Sequence, residues 1–162
     1  GRHLHAGVAE HPPEAREGAV NLLEAIAEAR RSGDANRFVD CIPYFRFLGL
    51  KLQVSGDSLV CVLPEDAKLI GNPLLPALHG GVVGALLEAA CIVQLIWRSD
   101  SLTVPKTINI TVDFLRSARP VETYALANVT RQGRRVANVR VEAWQDDKGK
   151  PVAAAHAHFL LQ

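Results

Sequence analysis

Glu88 is the only carboxylate between Leu78 and Trp97, in a run that is otherwise almost wholly apolar or small. Taking an unpaired carboxylate out of water costs several kcal/mol unless it is neutralised or hydrogen-bonded. Two readings follow. Glu88 is a general base or nucleophile with a tunable pKa in a dry site, or it is a side chain that bonds to backbone or sits at an interface. Nine residues earlier stands His79-Gly80-Gly81. Two glycines at a helix start let a ligand approach N–H groups that lack partners inside the helix, and such groups can hold an oxyanion. The plainer reading is a glycine-rich helix entry, with His79 as a cap or a hydrogen-bond donor.

Spacing sets a condition on these two features. Glu88 lies seven residues past Gly81, and a helix rises about 1.5 Å per residue, which separates them by roughly 10 Å along the axis. A reacting carbonyl needs its attacker and its oxyanion donors within about 3 Å, so one straight helix cannot supply both. In a two-fold dimer the helix start of one subunit faces Glu88 of the other, giving two equivalent sites.

The elements that hold these residues follow from periodicity. Ala15, Ala19, Leu22, Leu23, Ile26 and Ala29 recur at three- and four-residue spacing, which predicts an amphipathic helix from Glu14 to Arg31, started by Pro12-Pro13 and ended at Ser32-Gly33-Asp34. It reads as an appendage on the main body. Phe47 to Val54 and Leu59 to Leu63 read as a β-hairpin around Ser55-Gly56-Asp57-Ser58, and Asn72-Pro73-Leu74-Leu75-Pro76 as a loop stiffened by prolines. Val82 to Trp97 is apolar on every face except at Glu88 and Gln94, so the helix must be wrapped. At sixteen residues interrupted by a carboxylate and an amide, it falls short of the roughly 20 apolar residues of a membrane span.

Ile108, Ile110, Val112 and Phe114 alternate with polar residues, the mark of a strand with one buried face. Val121 to Thr130, Val136 to Trp144 and Val152 to Leu161 then form an antiparallel meander. The plan is α+β, a curved antiparallel sheet held around a long central helix, with an extra N-terminal helix. We divide the chain into an N-terminal extension, 1–42, and a main domain, 43–162.

With these residues in view, the chain resembles the hotdog-fold thioesterases of the PaaI type. The resemblance runs from about Pro43 to Leu161. It rests on Asn72, on Leu78-His79-Gly80-Gly81, on Leu87-Glu88, on Thr111-Val112-Asp113-Phe114-Leu115-Arg116 and on Arg131-Gln132-Gly133-Arg134-Arg135. It implies a hotdog fold, a homodimer with strands paired into one sheet, often a dimer of dimers, and hydrolysis of acyl-CoA without a cofactor. By position, Glu88 takes the place of the catalytic acid and Gly81 would polarise the thioester carbonyl through its N–H. His79 would orient the loop or contact the thioester, and Asn72 would help position substrate or water. Asn72 stands seven residues before His79, where the family pattern has six. Thr107 falls where some relatives place a hydroxyl that assists the attacking water; otherwise it is an ordinary strand threonine. Arg116, Arg131, Arg134 and Arg135 lie at strand ends, where guanidinium forks could hold the phosphates of coenzyme A or simply keep hairpins solvated.

Other features weigh less. His156 and His158 share a face of the last strand with no third metal ligand nearby, so they read as an exposed pair or a subunit contact. Cys91, one turn after Glu88, reads as core packing. A formal net charge of +1 gives no general support for a nucleic-acid partner, and neither a membrane nor a metal is expected. Three scattered cysteines and no signal-like run lead us to expect the cytoplasm. Two rival functions remain at this point: hydratase or dehydratase chemistry on acyl thioesters, for which no Asp-x4-His appears, and a hotdog module that binds acyl-CoA without turning it over.

Overall fold

The computed structural model describes residues 13–100 and 103–161. Pro12, expected to help start the first helix, lies outside these residues, as do the side chains of Ala15 and Ala19. Helix α1 spans Pro13–Ser32. Two short helices follow, α2 at Asn36–Val39 and α3 at Pro43–Leu48. The third corrects the hairpin expected from Phe47. Pro43 opens that turn and Gly49, in the left-handed region at φ 68°, closes it, so Phe47 and Leu48 are helical and strand β1 begins only at Lys51.

Strands β1 (Lys51–Ser55) and β2 (Ser58–Leu63) form the expected hairpin in shortened form. A two-stranded ribbon, β3 (Ile70–Asn72) with β4 (Ala77–Leu78), leads into the central helix α4, Gly80–Arg98. Strands β5 (Lys106–Phe114), β6 (Thr123–Gln132), β7 (Val136–Trp144) and β8 (Ala153–Leu160) complete a six-stranded antiparallel sheet of order β1-β2-β6-β7-β8-β5. The meander β6-β7-β8 is as expected, and β5 closes the sheet as an edge.

Helix α4 packs chiefly on β2, β6 and β7 and only lightly on β5. Val83, Leu86, Leu87, Val93 and Ile96 are buried there, each leucine contributing about 1.5–3 kcal/mol by leaving water. By length and composition α4 could cross a membrane, but here the sheet takes its apolar faces. The N-terminal segment shares this core, since Ile26, Ala29, Phe38 and Val39 join the same buried cluster as α4.

The wrapping is incomplete. Gly81 is exposed, and Gly84, Ala85, Glu88 and Ile92 are only half-buried, so one stripe of α4 is left uncovered. Beside it, β5 departs from strict alternation. The register shifts between Thr107 and Asn109, leaving Ile108 at the bulge and 54% exposed instead of on the buried face.

Candidate active site

Glu88 is held on the uncovered stripe of α4, half-buried rather than enclosed. Thr107 Oγ1 donates to Glu88 Oε1 at 2.5 Å. The bulge explains how a strand threonine reaches a helix carboxylate. Thr107 and Ile110 pair with the buried Phe159 and Ala157 of β8, so both point to the helix side although three positions apart. An unbroken strand would turn Thr107 outward. One carboxylate oxygen is thereby fixed by a hydroxyl.

The helix start is arranged differently from the expectation. His79 is the N-cap of α4, with φ −61° and ψ 132°, and its Nδ1 accepts from the Gly81 N–H at 2.9 Å. Gly81, expected to turn its N–H to substrate, spends it on this cap. Gly80 is the first helical residue, and among the described residues its N–H has no acceptor. It also lines an open hollow with Ala77, Leu78, Val83 and Phe114, where the helix dipole favours negative charge. His79 thus acts as a cap that selects which amide remains open.

Asn72 does not reach towards Glu88. Its Oδ1 accepts from the N–H groups of Leu74 and Leu75 at 3.0 and 3.2 Å, folding the residues between β3 and β4 into a fixed turn. The arginines are not brought together within the chain. Arg116 Nη1 donates to the Pro151 carbonyl at 2.7 Å, at the end of β5 near Gly80. Arg131, Arg134 and Arg135 lie at the opposite end of the sheet; Arg134 lines a hollow with Ser99, Pro105 and Gln132 at the C-terminus of α4.

Burial pushes the Cys91 thiol up to about 12, with the nearby Glu88 charge adding to it, and burial does the same to Cys61; neither is a nucleophile near neutral pH. His156 and His158 lie on the outer face, with His158 Nδ1 2.7 Å from Asn109 Oδ1 across the strand pair. Among the described residues no three metal-ligating side chains gather.

Two groups escaped the sequence reading: the Phe114 ring beside the Gly80 amide, and the exposed leucines of the loop between β3 and β4. The signal for the loop was present, two leucines set between two prolines.

A family model described as thioesterase superfamily matches residues 75–152. The chain is 28% identical over 138 residues, 76% of its own length and 88% of the relative's, to the medium/long-chain acyl-CoA thioesterase YigI of Salmonella typhimurium. It is also similar to a protein of known crystal structure from Chromobacterium violaceum, with 40% identity, 86% and 97% of the two chains covered and a TM-score of 0.68. A phenylacetic acid degradation-related protein from Ralstonia eutropha JMP134 gives 25% identity, 84% and 98% coverage and a TM-score of 0.68. With a six-stranded antiparallel sheet around a central helix, and with these relatives, the chain belongs to the thioesterase superfamily of the hotdog fold and is a thioester hydrolase.

Proposed function

We propose that the chain hydrolyses acyl-CoA in a two-fold dimer, each site pairing Glu88 and Thr107 of one subunit with the open Gly80 amide of the other. The observation that carries this reading is the Thr107–Glu88 hydrogen bond on the one uncovered stripe of an otherwise buried helix. Strand β5 is the free edge next to that stripe. Gly80 lies by Phe114, at one end of β5, and Thr107 lies at the other. Pairing two β5 edges antiparallel sets the partner's Phe114 end, with its helix start, beside Thr107 and Glu88. The same operation sets the partner's Arg116 at the end that holds Arg131, Arg134 and Arg135, which supports these arginines as a shared site for coenzyme A phosphates.

Chemically, the Gly80 N–H donates a hydrogen bond to the developing oxyanion, and Glu88 takes a proton from the attacking water or attacks the carbonyl itself. The carbonyl re-forms as the coenzyme A thiolate leaves. Single turnover in ¹⁸O-water separates the two routes: general-base attack places label in the released acid, whereas an acyl-Glu88 anhydride cleaved at the Glu88 carboxyl releases unlabelled acid and leaves the label in Glu88. The activity test is Glu88→Gln, assayed by thiol release from a panel of acyl-CoAs. Turnover should fall by about 10²–10⁴-fold with an unchanged circular dichroism spectrum; retained hydrolysis refutes the assignment.

A further inference from the structure

Three glycines fall on α4, and two of them have a reason inside the chain. A side chain at Gly80 would press on the Phe114 ring at 3.4 Å, and one at Gly81 on the His79 imidazole at 3.0 Å. Gly84 has no such neighbour. It lies inside the regular helix, its φ is not positive, and a side chain there would meet nothing within 4 Å. Glycine weakens a helix interior more than any residue but proline, and nothing in the single subunit offsets that weakness at Gly84. The residue is half-buried on the uncovered stripe, one turn before Glu88. Its place follows from the pairing of groups proposed above. If Gly80 of each α4 faces Glu88 of the other, the helices run antiparallel, and the residue that faces its own copy lies midway between 80 and 88, at 84. Of the stripe residues Gly81, Gly84, Ala85, Glu88 and Ile92, Gly84 is the one at that midpoint. Charge favours the same arrangement, because the positive end of each helix dipole, with its Gly80 amide, then meets the carboxylate of the other helix.

We propose that the two α4 helices of the dimer touch at Gly84, backbone to backbone across the two-fold axis, and that this contact sets the width of both active sites. The proposal rests on the two-subunit site proposed above and adds what fixes its dimensions. Packed helices stand about 8–10 Å apart according to the side chains at their contact, and glycine allows the closest approach. A thioester carbonyl has to bridge the gap from Gly80 of one subunit to Glu88 of the other. That gap is held from a point about 6 Å along the helix from each group. Substrate is the competing occupant of the space over Gly84. Symmetry counts against it, since an acyl group lying over Gly84 of one subunit would lie over Gly84 of the other, and two sites would contend for one space. Gly84 is then a positioning residue, which touches no reacting atom and acts through the separation of Gly80 and Glu88.

The test places a thiol on the axis. Only a residue that faces its own copy can pair with itself when each chain carries one new cysteine, and a disulfide requires Cα atoms roughly 4.4–6.8 Å apart. Cys61 and Cys91 are buried, and the half-buried Cys41 is removed by Cys41→Ser in the full chain. In that background Gly84→Cys should give a disulfide-linked dimer when oxidised with diamide, read on a non-reducing gel. Ile92→Cys, on the same stripe but off the axis, should give none, because its two copies stand about 24 Å apart along the helices. Gly84→Ala supplies the kinetic arm. Alanine favours the helix, so resistance to denaturant should hold or rise. The two added methyl groups wedge the helices apart, and since a displacement of about 1 Å at a reacting group costs up to about 10²-fold, kcat should fall at least about tenfold with little change in KM. A Gly84→Cys protein that elutes as a dimer, hydrolyses acyl-CoA and stays unlinked overturns the contact and leaves the two-subunit site standing, as does an unchanged kcat in Gly84→Ala. A chain that elutes as a single subunit and still hydrolyses acyl-CoA refutes the two-subunit site and the contact together.

Discussion

On the flank of α4 that faces α1 and β2, side chains bond to neighbouring elements of the same chain, although among the described residues Gln94 Nε2 and Arg30 Nε stay buried without a partner. Gln94, 1% exposed, accepts from the Leu59 N–H at 2.9 Å and ties helix to strand. Arg30 of α1 donates to the carbonyls of Ile96 and Ser99, placing a cation at the C-terminal end of the α4 dipole. On the flank that faces β5 the opposite holds. The strand edge is unpaired, Ile108, Phe114 and Leu115 are exposed, and Glu88, Thr107 and the Gly80 amide face an uncovered stripe. The closed flank carries stability and the open flank carries the proposed chemistry: a site that two subunits complete, as proposed above, has to be left unfinished in each.

That contrast breaks most sharply with a charge on the open edge. Ile108→Lys is cheap in a lone subunit but puts a cation into the β5 pairing, so the protein should elute as a smaller species and lose about 100-fold in turnover. Normal size and activity would remove the edge from the account. Thr107→Val keeps the shape and deletes the donor; kcat should fall by about tenfold with little change in KM, and Thr107→Ser should recover most of it. On the closed flank, Gln94→Leu orphans the Leu59 N–H and should lower stability by about 1–3 kcal/mol, read by denaturant titration, while kcat is unchanged. A fall in kcat there would blur the division between flanks.

The smallest effect concerns the core thiols. Burial raises Cys61 and Cys91 from 9.0 to about 12, so the folded state holds their protons more tightly than the unfolded chain. The stability this contributes is present below pH 9 and lost as pH rises towards 12. Native alkylation at pH 8, followed by mass spectrometry, should leave both residues unmodified; rapid labelling of Cys91 would mean that the helix is open beneath Glu88.

The closed flank was the more legible of the two in the sequence. The α4 and α1 periodicities, the meander and the hairpin turn are local patterns, and they predicted elements within a few residues. Phe47 was misassigned because its apolar run outweighed the Pro43 and Gly49 signals that bound α3. The open flank depends on contacts no local pattern encodes. A β-bulge moves Ile108 out and Thr107 in, and a histidine cap closes the Gly81 amide while leaving Gly80 open. Glu88 stood out only because nothing like it surrounds it. Its partner Thr107, nineteen residues on, had no signal of its own beyond family position.

Subunit complementation tests the shared site most directly. Gly80→Pro deletes the amide hydrogen at the first helical position, where proline is tolerated, and His79 already has the extended backbone that precedes proline. Gly80→Pro and Glu88→Gln should each be inactive alone. Mixed, unfolded and refolded together, half of the dimers carry one site with both groups intact, so about a quarter of wild-type activity should return. A mixture no more active than its parents would contradict a site built from two subunits.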